Sequence, residues 1–424
     1  MKKTFILFIL SIISLLTLAQ GSVKVMTYNL LNFGNYTSYC TSTNNPHEDK
    51  AEYLATIIDN QEPDILAVCE LGKYVSASYT TNYILGNSLN INGETKWQAA
   101  SPTDQSGSYL INGLFYDKNK FQLMAQPVVE TDIRDINIYK LRCLEMEETT
   151  YLNVVVMHLK AGSEYDDQSD RTDMVNELMS YLSAQGSNEN YIIVGDFNVY
   201  SDNETCFQNL IDPSNPSLAF YDPINQLGDW NNNYAYRSVH TQSTHDDDSN
   251  DCFSYGGMDD RFDFILISSS IKDGTADIQY VDDSYWAVGQ DGNRFNGAIN
   301  SPSNSTLPST VISALYNMSD HLPVVAEFQI GDNSGVASLS NTDNFYANVV
   351  NPTDGLIQYR LKSNLNTNVE VSIYTSVGQK IYSTNINSAD SAIQTHDISE
   401  YANGVYIMCF EGTGIYQTYK IVKK

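Results

Sequence analysis

The sequence predicts an α/β (α+β) chain, in which a four-layer α/β/β/α sandwich is followed by a small all-β sandwich. Three observations carry that prediction. A strand–helix–strand pattern occurs twice between residues 23 and 197. Apolar runs rich in Val and Ile each stop on a polar residue drawn from one restricted chemical set. Beyond residue 342 helical periodicity gives way to short alternating strands.

The chain opens with MKKTFILFILSIISLLTLAQ: a lysine pair, an apolar stretch from Phe5 to Leu16, then small residues up to Ala19. That is the layout of a secretory signal over residues 1–19, cut after Ala19. The apolar stretch is short for a membrane span, and no later run reaches the roughly 20 residues a span requires. The mature protein is therefore expected outside the cell with no transmembrane segment.

The large unit is expected over residues 20–330. VKVMTYNL reads as a strand, HEDKAEYLATIIDN puts Tyr53, Leu54, Ile57 and Ile58 on one helical face, and PDILAVCEL returns to strand. YLNVVVMHL, DRTDMVNELMSYLSA and YIIVGDF repeat the pattern, with Met174, Val175, Leu178, Met179 and Leu182 on the helix face. Two such units suggest two similar halves, each a sheet with an outer helix layer, packed sheet to sheet. Between them, INGLFYDKNKFQLMAQPVVE reads as a hairpin. Two polar stretches, Gly228–Asp260 and 289–310, are long loops placed to overhang the mouth of the sheets. Residues 331–342 read as a linker. Residues 343–424 form the all-β domain, with strands at VEVSIYTSVG and GVYIMCF and turns at NPTDG and SVGQK. His396 stands alone there and reads as structural or solvent-facing.

Lys and Arg number 23 against 51 Asp and Glu, a formal net charge of −28; loss of Lys2 and Lys3 with the signal takes −28 to −30. This excludes binding of polyanions through bulk electrostatics, because nucleic-acid affinity normally comes from Lys and Arg releasing counterions. A nucleic-acid substrate would need a local cationic groove or a bound metal. Lys140, Arg142, Lys160, Arg171, Arg237 and Arg261 are too scattered in sequence to define such a groove. Otherwise the acidity serves solubility outside the cell. Six cysteines (40, 69, 143, 206, 252 and 409) include no CxxC spacing, which argues against zinc and leaves disulfides open in an exported chain. Cys69 and Cys143 lie in apolar, strand-like context and read as core. Cys206 and Cys252 lie in polar, loop-like context and form the best candidate pair.

The polar stops are Asn29 in TYNLLN, Glu70 in AVCEL, His158 in VVVMHLK, Asp196 and Asn198 in IIVGDFN, Asp263 in RFDFIL, and Asp320–His321 in SDHLPVV. Each alone reads as readily as a turn, a cap or a satisfied core residue. Jointly they fit phosphoester chemistry. Mg²⁺ takes hard oxygen ligands and keeps several waters, so one or two carboxylates suffice; Glu70 and Asp320, with Asn29 near, meet that need. Phosphodiester cleavage also requires a base for water, donors for the charge gathering on phosphorus, and an acid for the leaving oxygen. His321, Asp196, Asn198 and His158 can supply these. Asp263 then orients and polarises one imidazole, that of His321.

On these residues, the region from Val23 to Ile330 resembles the endonuclease/exonuclease/phosphatase superfamily, which has the DNase I-like fold. TYNLLN is similar to its first motif and Glu70 to its metal-binding glutamate. MHLKAG is similar to the histidine segment of the DNase and sphingomyelinase branches, GDFN to the Asp-x-Asn motif, RFDFIL to the strand aspartate and SDHLPV to the closing motif. The resemblance implies Mg²⁺-dependent hydrolysis, with Mn²⁺ or Ca²⁺ as alternatives, and Asn29, Glu70 and Asp320 around the metal. It further implies Asp263–His321 as the base dyad, Asp196 orienting water or phosphate, and Asn198 stabilising the phosphorane-like state. His158 would contact phosphate or protonate the leaving group. Arg171 fits a recurrent arginine after the HLKA segment, a helix-surface salt bridge being the alternative.

From about Asp343 the chain resembles the sorting domain of the type IX secretion route, on NPTDG, VSIYTSVGQKIY, ISEYANGVYIMCF and YKIVKK, with Val350 where a proline is usual. This implies the type IX machinery as partner, secretion or cell-surface attachment, and removal of the tail during export. The expected function is a secreted phosphodiesterase, foremost a nuclease acting on extracellular DNA or RNA. The alternative is a phosphatase or phosphodiesterase on a lipid headgroup or small phosphoester, sphingomyelinase-like or inositol-phosphatase-like. A non-catalytic surface binding protein on the same scaffold is the third reading.

Overall fold

The computed structural model describes residues 21–331 apart from 145, 147–148 and 187–188, and residues 345–423 with breaks at 350–352, 354, 364–365, 377, 390–391 and 413–414. The expected signal at 1–19 and nearly all of the 331–342 linker lie outside the described residues. The chain divides into two units between Asp332 and Asn333.

The first unit begins β1 (Gly21–Phe33), α1 (His47–Gln61), β2 (Ile65–Leu71), α2 (Ala77–Ile84), β3 (Trp97–Ala99) and β4 (Ile111–Asp117). It continues β5 (Phe121–Ala125), β6 (Val128–Val129), β7 (Ile136–Cys143), β8 (Tyr151–His158), α3 (Tyr165–Gln185), β9 (Tyr191–Asp196) and α4 (Thr205–Ile211). It closes with β10 (Phe220–Tyr221), β11 (Asp263–Ser268), α5 (Ser269–Asp273), β12 (Ile278–Tyr280), β13 (Trp286–Ala287), α6 (Ser309–Met318) and β14 (Val324–Ile330). Both strand–helix–strand units form: β1 pairs in parallel with β2, and β8 with β9. One sheet runs β12–β14–β1–β2–β4–β3 with β13 on β14; the other runs β10–β11–β9–β8–β7–β5 with β6 on β7.

Strand alternation turns these two sheets into four layers. Val23, Val25, Ile65 and Ala67 of the first sheet bury against Val154, Val156, Ile192 and Val194 of the second. Met26, Tyr28, Leu66 and Val68 face the other way, onto Leu54, Ile57 and Ile58 of α1 and Ile312 and Leu315 of α6. Val155, Ile193, Phe264 and Leu266 cover the far side, against Met174, Val175, Leu178 and Leu182 of α3 and Phe207 of α4. The α/β/β/α sandwich follows from period-two strands that are apolar on both faces.

Two expectations are corrected. Residues 111–130 do not form a hairpin. Both edges of β4 are occupied, by β2 and β3. The chain therefore turns at Asp117–Lys120 and crosses to the other sheet, where β5 pairs with β7. The disulfide joins Cys40 to Cys252, not Cys206 to Cys252. Cys206 lies in α4 and is buried against the core, its Sγ 3.9 Å from Glu204 Oε2; burial pushes its thiol up to about 12. Cys69 and Cys143 are buried core residues, as expected.

The Cys40–Cys252 bridge spans 212 residues and pins the long loop before β11 onto the segment after β1. Asn250 Nδ2 donates to the Asn44 carbonyl in support, at 3.0 Å. Closing so long a loop removes much chain entropy from the unfolded state. Cys252→Ser is expected to cost about 2–5 kcal/mol of unfolding free energy, read by urea denaturation. Wild type under reductant should match the variant; equal stability with and without the bridge would refute the account.

The second unit holds β15 (Phe345–Val349), β16 (Leu356–Ser363), β17 (Asn368–Thr375), β18 (Lys380–Asn387), β19 (Ile393–Asp397), β20 (Gly404–Gly412) and β21 (Ile415–Lys423). They form two sheets, β15–β16–β19 and β18–β17–β20–β21, around Ile357, Leu361, Val371, Ile373, Met408 and Phe410. His396 stacks on Tyr382, with ring centroids 3.3 Å apart, and is structural.

Candidate active site

Strand direction gathers the polar stops at one end of the sandwich. β1, β2, β8 and β9 finish where their antiparallel neighbours β4, β7, β11 and β14 begin. Asp196 lies opposite His158 on one side and Asp263 on the other. Gly195 makes this register workable: its φ is +131°, and a Cβ there would collide with the Met157 carbonyl. At the strand ends Leu31, Asn32, Glu70 and Asn198 take left-handed backbone, with φ between 42° and 56°. Such conformations cost on the order of 1 kcal/mol each. The site offsets part of that cost with its own hydrogen bonds. The Asn32 amide donates to Glu70 Oε2 at 2.9 Å, and the Asn198 amide to Asp196 Oδ1 at 3.0 Å.

Seven of the expected residues form one network. Asn29 Nδ2 lies 3.1 Å from Glu70 Oε1, 2.9 Å from Asp196 Oδ2 and 3.4 Å from His321 Nε2. His158 Nε2 faces Glu70 Oε1 at 3.8 Å and Asp196 Oδ2 at 3.6 Å. His321 Nδ1 bonds Asp263 Oδ2 at 2.7 Å, and its Nε2 is 3.9 Å from Asp320 Oδ1. Asn198, the eighth, sits at the edge: its Nδ2 donates to the Leu159 carbonyl at 3.2 Å. Asn29 also departs from its expected part. Its Oδ1 accepts the Leu31 amide at 2.9 Å, so it turns an NH₂ group to the carboxylates. An NH₂ group cannot ligate a cation; in this arrangement Asn29 orients Glu70 and Asp196.

The electrostatics separate the two histidines. Burial, then the charges of Arg134 and His321, push His158 well below the ordinary imidazole range, so it is neutral. Burial opposes charge on His321 too, but Asp263, Asp196 and Asp320 outweigh it and hold its pKa well above that range. Burial raises Asp196 to about 7. Gln242 Nε2 lies 2.7 Å from His321 Nε2 and 3.3 Å from Asp320 Oδ2. A half-turn of that amide would present its oxygen instead, so Gln242 can serve either charge state of the ring.

The donor set suits a hard cation. Glu70, His158 and Asp196 place ligand atoms within 4.8 Å of one another. Asp320 Oδ2 accepts the Ser254 amide at 3.0 Å, while Oδ1 is enclosed and has no hydrogen-bond partner. Mg²⁺ takes such carboxylate oxygens and disfavours imidazole, which leaves His158 facing the site as a neutral ring.

Sequence reasoning passed over Gln242, Lys50 and Arg134. Gln242 comes from the long polar loop, which has no periodicity to read. Lys50 had a signal: it lies four residues before Leu54 and seven before Ile57, on the buried face of α1. Its Nζ donates to the Leu31 carbonyl and Asn45 Oδ1, both at 2.8 Å, and burial lowers its pKa to about 7. Arg171 forms no surface salt bridge. It is fully buried, and Nη2 bonds Glu204 Oε2 at 2.6 Å.

A four-layer sandwich with acids, amides and a histidine–aspartate pair at one mouth is a DNase I-like architecture. Residues 351–424 match the secretion system C-terminal sorting domain, and the chain is a secreted or cell-surface-attached protein. Solved structures similar to this chain include the human nocturnin catalytic domain with bound sulfate, at 17% identity over 74% of this chain and 97% of that one, TM-score 0.45. Another is an endonuclease/exonuclease/phosphatase family protein from Bacteroides thetaiotaomicron, at 13% identity over 74% and 99%, TM-score 0.46. A mannosyl-6-phosphatase from that organism aligns at 14% identity over 72% and 98%, TM-score 0.43. No curated protein matches the chain in sequence. Among the described residues no helix is long and apolar enough to cross a membrane.

Proposed function

We propose that the chain hydrolyses phosphodiesters outside the cell in a divalent-cation-dependent reaction. The observation that carries this reading is the His321–Asp263 contact of 2.7 Å inside a cluster of buried carboxylates. Glu70 and Asp320 would hold Mg²⁺, which neutralises charge on the phosphate oxygens. Asp263 keeps a proton on His321 Nδ1, leaving Nε2 to take one from water. Asp196 orients that water through its oxygens. Neutral His158 offers a ring N–H to phosphate or to the leaving oxygen, and Asn198 holds the loop that presents Asp196.

Short or single-stranded nucleic acid is the substrate class best supported. Four of the cations are committed elsewhere: Arg171 to Glu204, Arg261 to Asp222, Arg294 to Asp291, with Lys160 on Asp167 nearer the surface. Those four are not free to track the backbone of a duplex. By contrast Tyr39, Tyr74, Tyr109, Tyr165 and Tyr255 are each half or more exposed. Four lie on loops at the mouth end, and Tyr165 opens α3 just beyond β8. Base stacking on such rings is sequence-tolerant and needs little net charge. A lipid headgroup or small phosphoester is the second reading, favoured by the net charge of −28.

Single-stranded and plasmid DNA, RNA, sphingomyelin and bis-p-nitrophenyl phosphate, each assayed with Mg²⁺ and with EDTA, provide the test. Cleavage of single strands ahead of duplex, abolished by EDTA, is expected. Turnover that survives EDTA, or none by a folded protein, would sink the proposal.

A further inference from the structure

We propose that a cleft at the end of the first unit opposite the mouth binds a neutral mono- or disaccharide, through tyrosine rings, side-chain amides and one lysine. The inference is independent of the hydrolase reading and uses none of its residues.

Sheet register builds the cleft. On the face of the second sheet that α3 covers, Ile138, Val155 and Ile193 form one apolar row across β7, β8 and β9. Two residues along, and so on the same face, the row is Lys140, Asn153 and Tyr191. Here the helical cover runs out. Gly186, with φ 86°, ends α3, whose final turns bring Tyr181 and Gln185 to the rim. The adjoining loops are tied down: Asn190 Nδ2 donates to the Ala276 carbonyl at 2.6 Å, and Thr150 Oγ1 to Asp277 Oδ2 at 3.3 Å. The result is a cleft of about 440 Å³, within the roughly 300–1,000 Å³ of small-molecule sites. β8 runs from Tyr151 in this cleft to His158 in the candidate active site, so at about 3.3 Å per residue the two lie roughly 23 Å apart.

The lining keeps hydrogen-bonding capacity in hand. Asn153 is buried; its Nδ2 donates to the Glu189 carbonyl at 3.1 Å, and no described residue donates to its Oδ1. Asn190 Oδ1 is enclosed without a hydrogen-bond partner. Lys140 forms no ion pair with a described residue, and its Nζ lies over the Tyr151 ring, 4.2 Å from the centroid. Buried polar groups short of partners are destabilising, so a row that only closed the sandwich would continue the Ile–Val pattern.

The chemistry selects the ligand. Burial raises the Tyr181 and Tyr191 hydroxyls above the ordinary phenol value, Tyr181 adding to the shift of Tyr191, so both remain neutral donors. Phenol and amide groups donate and accept, which matches the hydroxyls around a sugar ring, while a tyrosine face covers the ring's C–H side. Glu189 and Asp277 outnumber the single lysine, which disfavours phosphate and other anions. An apolar ligand would leave the amides unpaired.

Calorimetry on the full chain provides the test, with maltose, cellobiose, mannobiose and diacetylchitobiose as probes beside adenosine and inorganic phosphate. At least one disaccharide should bind, one per chain, with a millimolar Kd or tighter. Tyr181→Ala and Asn153→Leu should each weaken that binding tenfold or more, and Lys140→Gln by less. His321→Asn, at the mouth, should leave it unchanged. Tyr181 lies at the helix surface, so its variant decides the matter if the Asn153 variant does not fold. Binding of none of the four disaccharides, or equal affinity in folded Tyr181→Ala, would overturn the proposal. So would adenosine or phosphate taking the cleft in their place, or a saccharide signal lost in His321→Asn, which would move it to the mouth.

Discussion

Asp263→Asn is expected to lower kcat/KM on any phosphoester the chain cleaves by roughly 10²–10⁴-fold, the range for loss of a positioned acid–base group. The fully buried Asp263 touches His321 Nδ1 at 2.7 Å, and only a carboxylate there accepts the ring proton in all states. An asparagine can turn its NH₂ toward Nδ1, which moves the proton to Nε2 and removes the base from the face that meets Asn29 and Gln242. The pH dependence should change in a definite direction. Asp263, Asp196 and Asp320 hold the His321 pKa above the ordinary range. A base must be neutral to act, so activity should fall as pH drops through that raised value. Asp263→Asn removes the strongest supporting charge, so the acid limb should move to lower pH while the plateau collapses. His321→Asn, whose amide can still donate to Asp263, separates chemistry from folding: it should lose turnover with its melting temperature little changed. Either variant keeping wild-type kcat/KM would remove the dyad from the mechanism.

The parts of this site that could be read in sequence are those fixed by strand ends. Glu70, His158, Asp196 and Asp263 each end or begin a run of buried β residues, so their common mouth follows from strand direction alone. The role of Gly195 before Asp196 emerges only from the structure, where glycine alone passes the Met157 carbonyl at φ +131°. What failed were features set by a partner distant in sequence. The turn at Asp117–Lys120 has the same local chemistry whether the chain doubles back or crosses to another sheet; the choice depends on β3 occupying the edge of β4. Cys206 looked loop-like because α4 is only seven residues long and carries polar flanks. Cys40 and Gln242 gain their roles from the path of the long loop, which no periodicity encodes. Asn29 stood out in the sequence as a candidate, but which end of its amide faces the acids is set by the Leu31 N–H in a left-handed turn.

Glu204→Ala is expected to destabilise the first unit by about 3–5 kcal/mol, because it leaves a fully buried guanidinium without its anion. The pair joins the two loops that carry the site. Arg171 Nη1 donates to the Lys160 and Gly162 carbonyls at 2.8 and 2.7 Å, just after His158. Glu204 Oε2 accepts Arg171 Nε at 2.9 Å, while Oε1 accepts the Tyr200 amide at 2.8 Å, just after Asn198. One ion pair thus sets the spacing between the ends of β8 and β9, two and four residues beyond the candidate site residues His158 and Asp196. Removing the anion should therefore reduce activity as well as stability, including at temperatures where the variant remains folded. The double variant Arg171→Met, Glu204→Leu sharpens the argument. Restoring an apolar filling without the charges should recover much of the stability, but the carbonyls of Lys160 and Gly162 would still lack their donor. Urea denaturation and kcat/KM measured on the same three proteins separate the effects: stability recovered with activity still low is the expected pattern. Full recovery of activity in the double variant would show that the pair serves folding alone, and that His158 is positioned by its strand without help from Arg171.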